Sequence, residues 1–419
     1  MTKKRSENAI ILIGNGFDLA HRMKTSYNDF AEWYIETIIV EKLCNFNNDT
    51  FFKKKFIQKF KSVKSLKENK HSYKKESSTY IIIEIIEILT NLHSNKKFKE
   101  QKVSEILIEN SFVLKDILNN IFLGNLYNNS YENWFDIENS YFFELTRRLE
   151  KEGEIEFDKP HVSSVSELNE EFSEIKNYLK EYLETIEPKT NGEVKEFFSE
   201  NFIGKEFINI VNFNYTQTVN QYLSSFKYSL KTYDRTKVLY NTNYIHGELD
   251  KKIIFGYGDD DSENYKRMKQ TRNDEYLKHF KTFAYLEGHN YRDLINLIDS
   301  IEDYEVYILG HSLSLTDKTL LYEIFSNKKC INIHLFKRAD IKNEDEKNQD
   351  IKKLHFNISR ILNNDGDSRK KIVPIAHTPH FPYIENIDDK ILNEKYNVIY
   401  DEERNEIIKR DDSLQVTYS

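Results

Sequence analysis

Residues Ala9 to Ile13 form an unbroken apolar run that stops at Gly14-Asn15-Gly16. A run this short, rich in β-branched residues and without polar alternation, reads as a strand buried on both faces in a helix-covered parallel sheet. A glycine turn directly behind such a strand, opening a helix, can present backbone N–H groups to a phosphate or pyrophosphate. The alternative is a tight strand-to-helix turn that holds nothing. The dinucleotide fingerprint needs a third glycine at position 19, where Leu19 stands, so an ordinary Rossmann dehydrogenase is disfavoured.

The same kind of run returns late in the chain. Phe207 to Val211, Val238 to Ile245, Ile253 to Phe255, Val306 to Leu309 and Ile331 to Leu335 are short β-type stretches, separated by helical patterns near 216–224, 290–302 and 316–326. Strand and helix alternating in this way predict an α/β fold with a Rossmann-like parallel sheet. Between the first strand and the later ones the pattern is helical, including Ile81 to Leu89, Ile106 to Leu123, a helix opening at Asn133 and another over Glu170 to Glu187. Thr25 or Ser26 is placed to cap a helix carrying Phe30, Trp33, Tyr34 and Ile38. The expected organisation is residues 1–50 for the first strand and helix of the core, 51–203 for a large helical insertion, 204–340 for the rest of the core and 341–419 for a C-terminal extension with a charged helix near 343–362.

Composition narrows the function. The chain has 419 residues, 14% of them aromatic, too many for a disordered chain. Its formal charge of -8 argues against a nucleic-acid scaffold, so a nucleic-acid partner is not expected. Cys44 and Cys330, the only cysteines, cannot build a disulfide framework or a four-cysteine zinc site. No window approaches the roughly 18–20 apolar residues of a membrane span. A soluble cytoplasmic protein is expected, with no metal. Ten lysines over 53–75, with Phe51, Phe52, Phe56 and Phe60 among or beside them, read as a solvated helix face, with an anionic partner as the alternative. Asp259-Asp260-Asp261 reads as a loop, with a metal role as the less favoured alternative because no matching carboxylate cluster is near in sequence.

Four constellations could carry chemistry. The first is the Gly14–Asp18 turn. In the second, Val211-Asn212-Phe213-Asn214-Tyr215-Thr216, two asparagines at a strand end can hold a ribose, an amide or a water, or Asn214 or Thr216 caps the next helix. The third is Tyr244-Ile245-His246-Gly247, whose histidine is a candidate general base or a structural residue. The fourth, Gly310-His311-Ser312-Leu313-Ser314, is similar to a nucleophile elbow with serine at its last glycine position. A triad of Ser312, Asp340 and His377 would be in the required order, whereas the alternative is another ligand-facing turn. Asp136 and Glu138 are two further carboxylates whose helical spacing points them in different directions, and His377 and His380 read as loop histidines. Six of the twelve glycines, Gly14, Gly16, Gly247, Gly256, Gly258 and Gly310, fall in turns assigned to one nucleotide site.

Ile13-Gly14-Asn15-Gly16-Phe17-Asp18-Leu19-Ala20-His21, with Thr25-Ser26-Tyr27 and Asp29-Phe30, resembles the opening of the bacterial AbiH family of phage abortive-infection proteins. Trp134 to Glu138, Asn212 to Thr216, His246-Gly247, Phe255-Gly256 and Gly310 to Leu313 with Asp317 follow in that family's order, so the resemblance covers about 10–320. It implies antiviral defence in which infected cells stop growing or die, acting on a phage-derived trigger. A more distant likeness is to sirtuin-like domains. It implies a sirtuin-like sheet binding NAD as substrate or ligand, with Gly14, Asn15, Gly16, Asp18, Thr216, Gly310 and Ser312 around the nucleotide. Asn214 would hold the ribose or a water, and His246 would act as base. Thr216 stands where sirtuins place aspartate, and their zinc module is missing. The expectation is an NAD glycohydrolase, with a non-catalytic nucleotide sensor and a Ser312 hydrolase as alternatives. The insertion would cap the site or assemble a homo-oligomer.

Overall fold

The computed structural model describes residues 6–34, 37, 120–124, 134–151, 164–202, 204–223, 239–382, 398–401 and 406–409. The lysine-rich segment 53–75, the helical patterns at Ile81 to Leu89 and most of Ile106 to Leu123, together with Ile38 and Cys44, lie outside the described residues.

Five parallel strands form the central sheet: β1 (Asn8–Ile13), β2 (Phe207–Asn212), β3 (Leu239–Tyr244), β4 (Tyr304–Leu309) and β5 (Cys330–His334), in the order β3-β2-β1-β4-β5. Side-chain alternation splits the apolar run of β1 between two cores. Ile10 and Leu12 join Val211, Val306 and Ile308 on one face; Ala9, Ile11 and Ile13 join Ile208, Ile210 and Leu309 on the other. Both faces are therefore covered, which is why the strands read as continuous hydrophobic runs.

The main helices, in chain order, are α1 (Asn15–Ala20), α2 (Tyr27–Trp33), α3 (Trp134–Lys151), α4 (Val165–Glu184), α5 (Gly192–Asn201), α6 (Asn290–Ser300), α7 (Lys318–Ser326) and α8 (Glu344–Leu362); further short helices lie at Ile121–Gly124, Glu263–Gln270, Lys281–Tyr285 and Asp365–Lys371. Phe17 of α1 and Phe197 and Phe198 of α5 cover one face, while α6, α7 and α8 cover the other through Leu294, Leu321 and Ile358. Ser26 starts α2 with a capping box: its Oγ accepts the Asp29 N–H, and the Asp29 carboxylate accepts the Ser26 N–H. A third core joins α2, α3 and α4 to the segment around Phe255 and Phe280, where Phe172 stacks on Tyr141 at 4.3 Å and on Phe255 at 5.0 Å.

Two expected elements differ. Ile253 to Phe255 is no strand: its one backbone–backbone bond among the described residues is Ile254 N–H to the His246 carbonyl at 2.7 Å, too little for a ladder. The helix expected near 216–224 is a 3₁₀ segment, Thr218–Tyr222.

Candidate functional site

Register brings the strand ends level. Ile13 lies beside Asn212 and Leu309, and Asn212 beside Tyr244, so the turns after β1, β2, β3 and β4 begin at one height. The chain runs from β1 outward through β2 and β3, then returns to place β4 on the other side of β1. That reversal is a topological switch point, where open α/β sheets leave a crevice beyond their carboxyl ends. A cleft of about 500 Å³ lies there, within the usual range for ligand pockets. Gly14, Asn15, Gly16, Asp18, Asn214, Thr216, His246, Gly310 and Ser312 all line it, joined by Glu138 of α3 and by Asn357 of α8.

The charged groups form one buried knot. Asp317, at the start of α7, receives Lys281 Nζ at 2.7 Å and lies 3.1 Å from His246 Nε2, both on Oδ1. Lys281 also reaches Glu138 Oε1 at 3.0 Å, and that oxygen accepts the Gly256 N–H at 3.0 Å. The Tyr285 hydroxyl lies 3.3 Å from His246 Nε2. Burial pushes the Asp317 carboxyl up, but Lys281 and then His246 outweigh it and hold it well below the usual range. Glu138 goes the other way: burial raises it, and Lys281 only partly offsets that. Burial opposes the charge on Lys281, but Asp317 and then Glu138 outweigh it, so the ammonium persists and belongs chiefly to Asp317. With a carboxylate on Nε2, the His246 ring proton sits there. Nδ1, which no described residue bonds, is left as the basic nitrogen.

His311 is a different histidine. The Leu313 N–H donates to its Nδ1 at 2.9 Å, so any proton of the neutral ring is on Nε2, 3.7 Å from Asp317 Oδ2. Burial lowers its pKa to about 4, and we take it as neutral rather than ion-paired. Leu313 itself, its side chain fully buried, has φ +56°, an unfavourable conformation for a side-chain-bearing residue.

The glycines divide into two sets. Gly14, Gly16 and Gly310 line the cleft, whereas Gly247, Gly256 and Gly258 do not, and a methyl on any of these would strike the backbone of Lys252, His279 or Thr316. Those three serve chain packing, which corrects their assignment to the nucleotide site. Asn214 caps no helix. Its Nδ2 donates to the Gly14 carbonyl at 3.0 Å and its N–H to Asn212 Oδ1, which ties the β2 turn to the β1 turn. Thr216 Oγ1 donates to Asp18 Oδ2 at 2.5 Å. Ser312 is exposed in the cleft, but among the described residues no hydrogen bond joins it to Asp340 or His377; Asp340 pairs with Arg338, and His377 does not line the cleft. Of the two α3 carboxylates singled out in the sequence, Glu138 enters the knot and Asp136 does not line the cleft. Lys281 carried no sequence signal, because a lone lysine beside Phe280 looks like any surface lysine. Asp317 was visible only through the family pattern.

Among the described residues no group of three or more His, Cys, Asp or Glu side chains is placed to hold a metal ion. No helix among them is long and apolar enough to cross a membrane.

Fold and cleft define a parallel α/β protein with a ligand crevice at its switch point, roofed partly by helices inserted between β1 and β2. The profile of the family described as "Bacteriophage abortive infection AbiH" matches residues 10–337, and the chain belongs to that family. No curated protein matches the chain.

Proposed function

We propose that this chain is an abortive-infection effector that binds a nucleotide in the switch-point cleft and hydrolyses its N-glycosidic bond, with NAD as the substrate. The observation that carries this reading is the convergence of four level strand-end turns on one cleft, with His246 braced by Asp317 at its wall. Hydrolysis breaks the bond between ribose C1′ and the nicotinamide nitrogen, which leaves with the electron pair, while water adds its oxygen to C1′ and gives one proton to His246. Asp317 holds the imidazole in one tautomer and stabilises its protonated form, and Lys281 and Glu138 fix Asp317. The knot then gains electrical balance: two carboxylates against Lys281 alone become two against Lys281 and protonated His246. Asn214 keeps its Oδ1 for the ribose or the water, since its nitrogen is committed to Gly14.

Purified protein incubated with NAD should release nicotinamide. Asp317→Asn and His246→Ala should each lower kcat by about 10²–10⁴-fold, the range for loss of general-base catalysis, with NAD still bound. Absence of turnover in every oligomeric or phage-triggered state, with NAD intact in infected cells, would overturn the reading. The protein would act in the cytoplasm, where phage replicates, as a homo-oligomer released by a phage-derived signal.

One observation favours a second reading. Glu138 belongs to the helical layer, so ligand contact at the knot could be transmitted to α3 without chemistry, as in a nucleotide sensor. His246→Ala separates the two, because a sensor keeps both ligand and defence whereas an enzyme keeps only ligand.

A further inference from the structure

The Gly14–Gly16 turn looks in sequence like a phosphate cradle, but the N–H groups of both glycines and of Phe17 are taken. The Gly14 N–H donates to the Leu309 carbonyl at 3.1 Å, the Gly16 N–H to the Gly310 carbonyl at 2.9 Å, and the Phe17 N–H to the Gly14 carbonyl at 2.9 Å. The space that a methyl would need is filled by protein: the Gly310 and His311 backbone lies within 2.5–2.9 Å of where a Cβ on Gly14 or Gly16 would be. These glycines let the β1 and β4 turns touch. α1 has six residues and carries an acid, Asp18, in its first turn.

What this end of the cleft offers is acceptors. Asp18 is 1% exposed; Thr216 bonds its Oδ2, while its Oδ1 is buried without a hydrogen-bond partner among the described residues. Thr25 is 2% exposed, and its Oγ1 is likewise buried without a hydrogen-bond partner among the described residues. Both residues line the cleft. A buried polar oxygen left without a hydrogen-bond partner is destabilising, so a wall carrying two such atoms is incomplete without a ligand's hydroxyls. No salt bridge among the described residues neutralises Asp18, so a phosphate here would meet an uncompensated negative charge at close range.

We infer that the Asp18–Thr25 end of the cleft is a hydroxyl-recognition subsite that takes a ribose diol, and that the phosphates of a bound nucleotide lie away from the Gly14–Gly16 turn. This rests on the nucleotide reading above and sharpens it, because it reverses the ligand's orientation relative to a glycine-turn phosphate site. Asp18 accepts from a sugar hydroxyl through Oδ1, and Thr25 Oγ1 bonds the adjacent hydroxyl. Thr216 fixes the carboxylate by holding Oδ2, and Asn15, whose Nδ2 donates to the Thr25 carbonyl at 3.1 Å, fixes the Thr25 backbone.

The test is direct binding by calorimetry of NAD, of NAD analogues each lacking one ribose hydroxyl, and of inorganic pyrophosphate, to the full chain and to Asp18→Asn and Thr25→Val. Asp18→Asn should weaken NAD about tenfold, because a charge-assisted hydrogen bond becomes a neutral one. One deoxy analogue should bind the unmodified protein about tenfold more weakly, and the two losses should not add in combination. Thr25→Val removes no charge and should show the same pattern with a smaller loss. Phosphate at the turn predicts the opposite sign: Asp18→Asn would tighten NAD and pyrophosphate. That result, or unchanged affinity for every ligand in both variants, overturns the inference. The expected binding pattern without nicotinamide release overturns hydrolysis alone, whereas absence of nucleotide binding to the unmodified protein overturns both.

Discussion

At Gly310 the backbone takes φ +71°, and a methyl there would lie 2.2 Å from the Phe17 nitrogen. Gly310→Ala therefore forces a left-handed alanine and pushes apart the two turns that close the cleft. We expect a loss above about 2 kcal/mol, combining the αL penalty with the backbone shift, read as a lowered urea midpoint. Lys281 has the opposite logic. It is 1% exposed between two carboxylates, so Lys281→Met leaves both without their cation and should cost about 3–5 kcal/mol. Adding Glu138→Gln should return part of that loss, and denaturation of the single and double variants checks the coupling. Neither effect is legible in the sequence. Gly16 is visible as a glycine after a strand, but its partner, the Gly310 carbonyl, is supplied by a turn far along the chain. Lys281 and Asp317 acquire meaning only when folding brings them to His246.

The strands were legible and the layer that holds Glu138 was less so, for a reason tied to burial geometry. A strand covered on both faces is apolar at every position, as in β1 and β4, and such runs stand out. Ile253 to Phe255 has the same look but is buried against helices, with Phe255 stacked on Phe172, so its hydrophobicity reports packing and not a ladder. Periodicity placed a helix around Glu138 without saying which face meets the sheet. That face is set by aromatic packing: Phe172 of α4 lies between Tyr141 of α3 and Phe255, next to Gly256, whose N–H holds Glu138. Phe172→Ala should cost about 3–5 kcal/mol, the usual range for truncating a buried phenylalanine. It should also speed amide exchange at Gly256 beyond that at β1, because the cavity opens beside the loop and not in the sheet. Equal acceleration at both would mean that the helical layer and the sheet unfold as one unit.

Across the whole molecule the buried ionisable groups oppose one another, and their balance sets the response to acid. Burial lowers His21, His279 and His311 from the usual value near 6.5 to about 4. Between those values the unfolded chain binds protons that the folded chain refuses. Stability from these histidines is therefore complete above about pH 6.5 and lost as pH falls toward 4. Each fully buried histidine shifted this far contributes on the order of 3 kcal/mol over the window, half-buried His279 less. Asp18, pushed up to about 6 chiefly by burial, works in the other direction, and so does Glu138. Each keeps a proton that the unfolded chain has released, so each favours the folded state as pH drops. Asp317 and Glu305 are held low by their partners against burial, and they withdraw stability at the acid end. His355 is lowered by burial as well, so among the described residues four histidines against two raised carboxyls leave a net loss, and the urea midpoint should fall from pH 7 to pH 4.5. Asp18→Asn removes one opposing group, so that variant should lose stability more steeply between pH 6 and 4, while near pH 7 it should equal or exceed the parent because it buries no unneutralised charge. Urea titrations of the two proteins at four pH values decide this: a parent that is more stable at pH 5 than at pH 7 would show that the carboxyls, and not the histidines, dominate the interior.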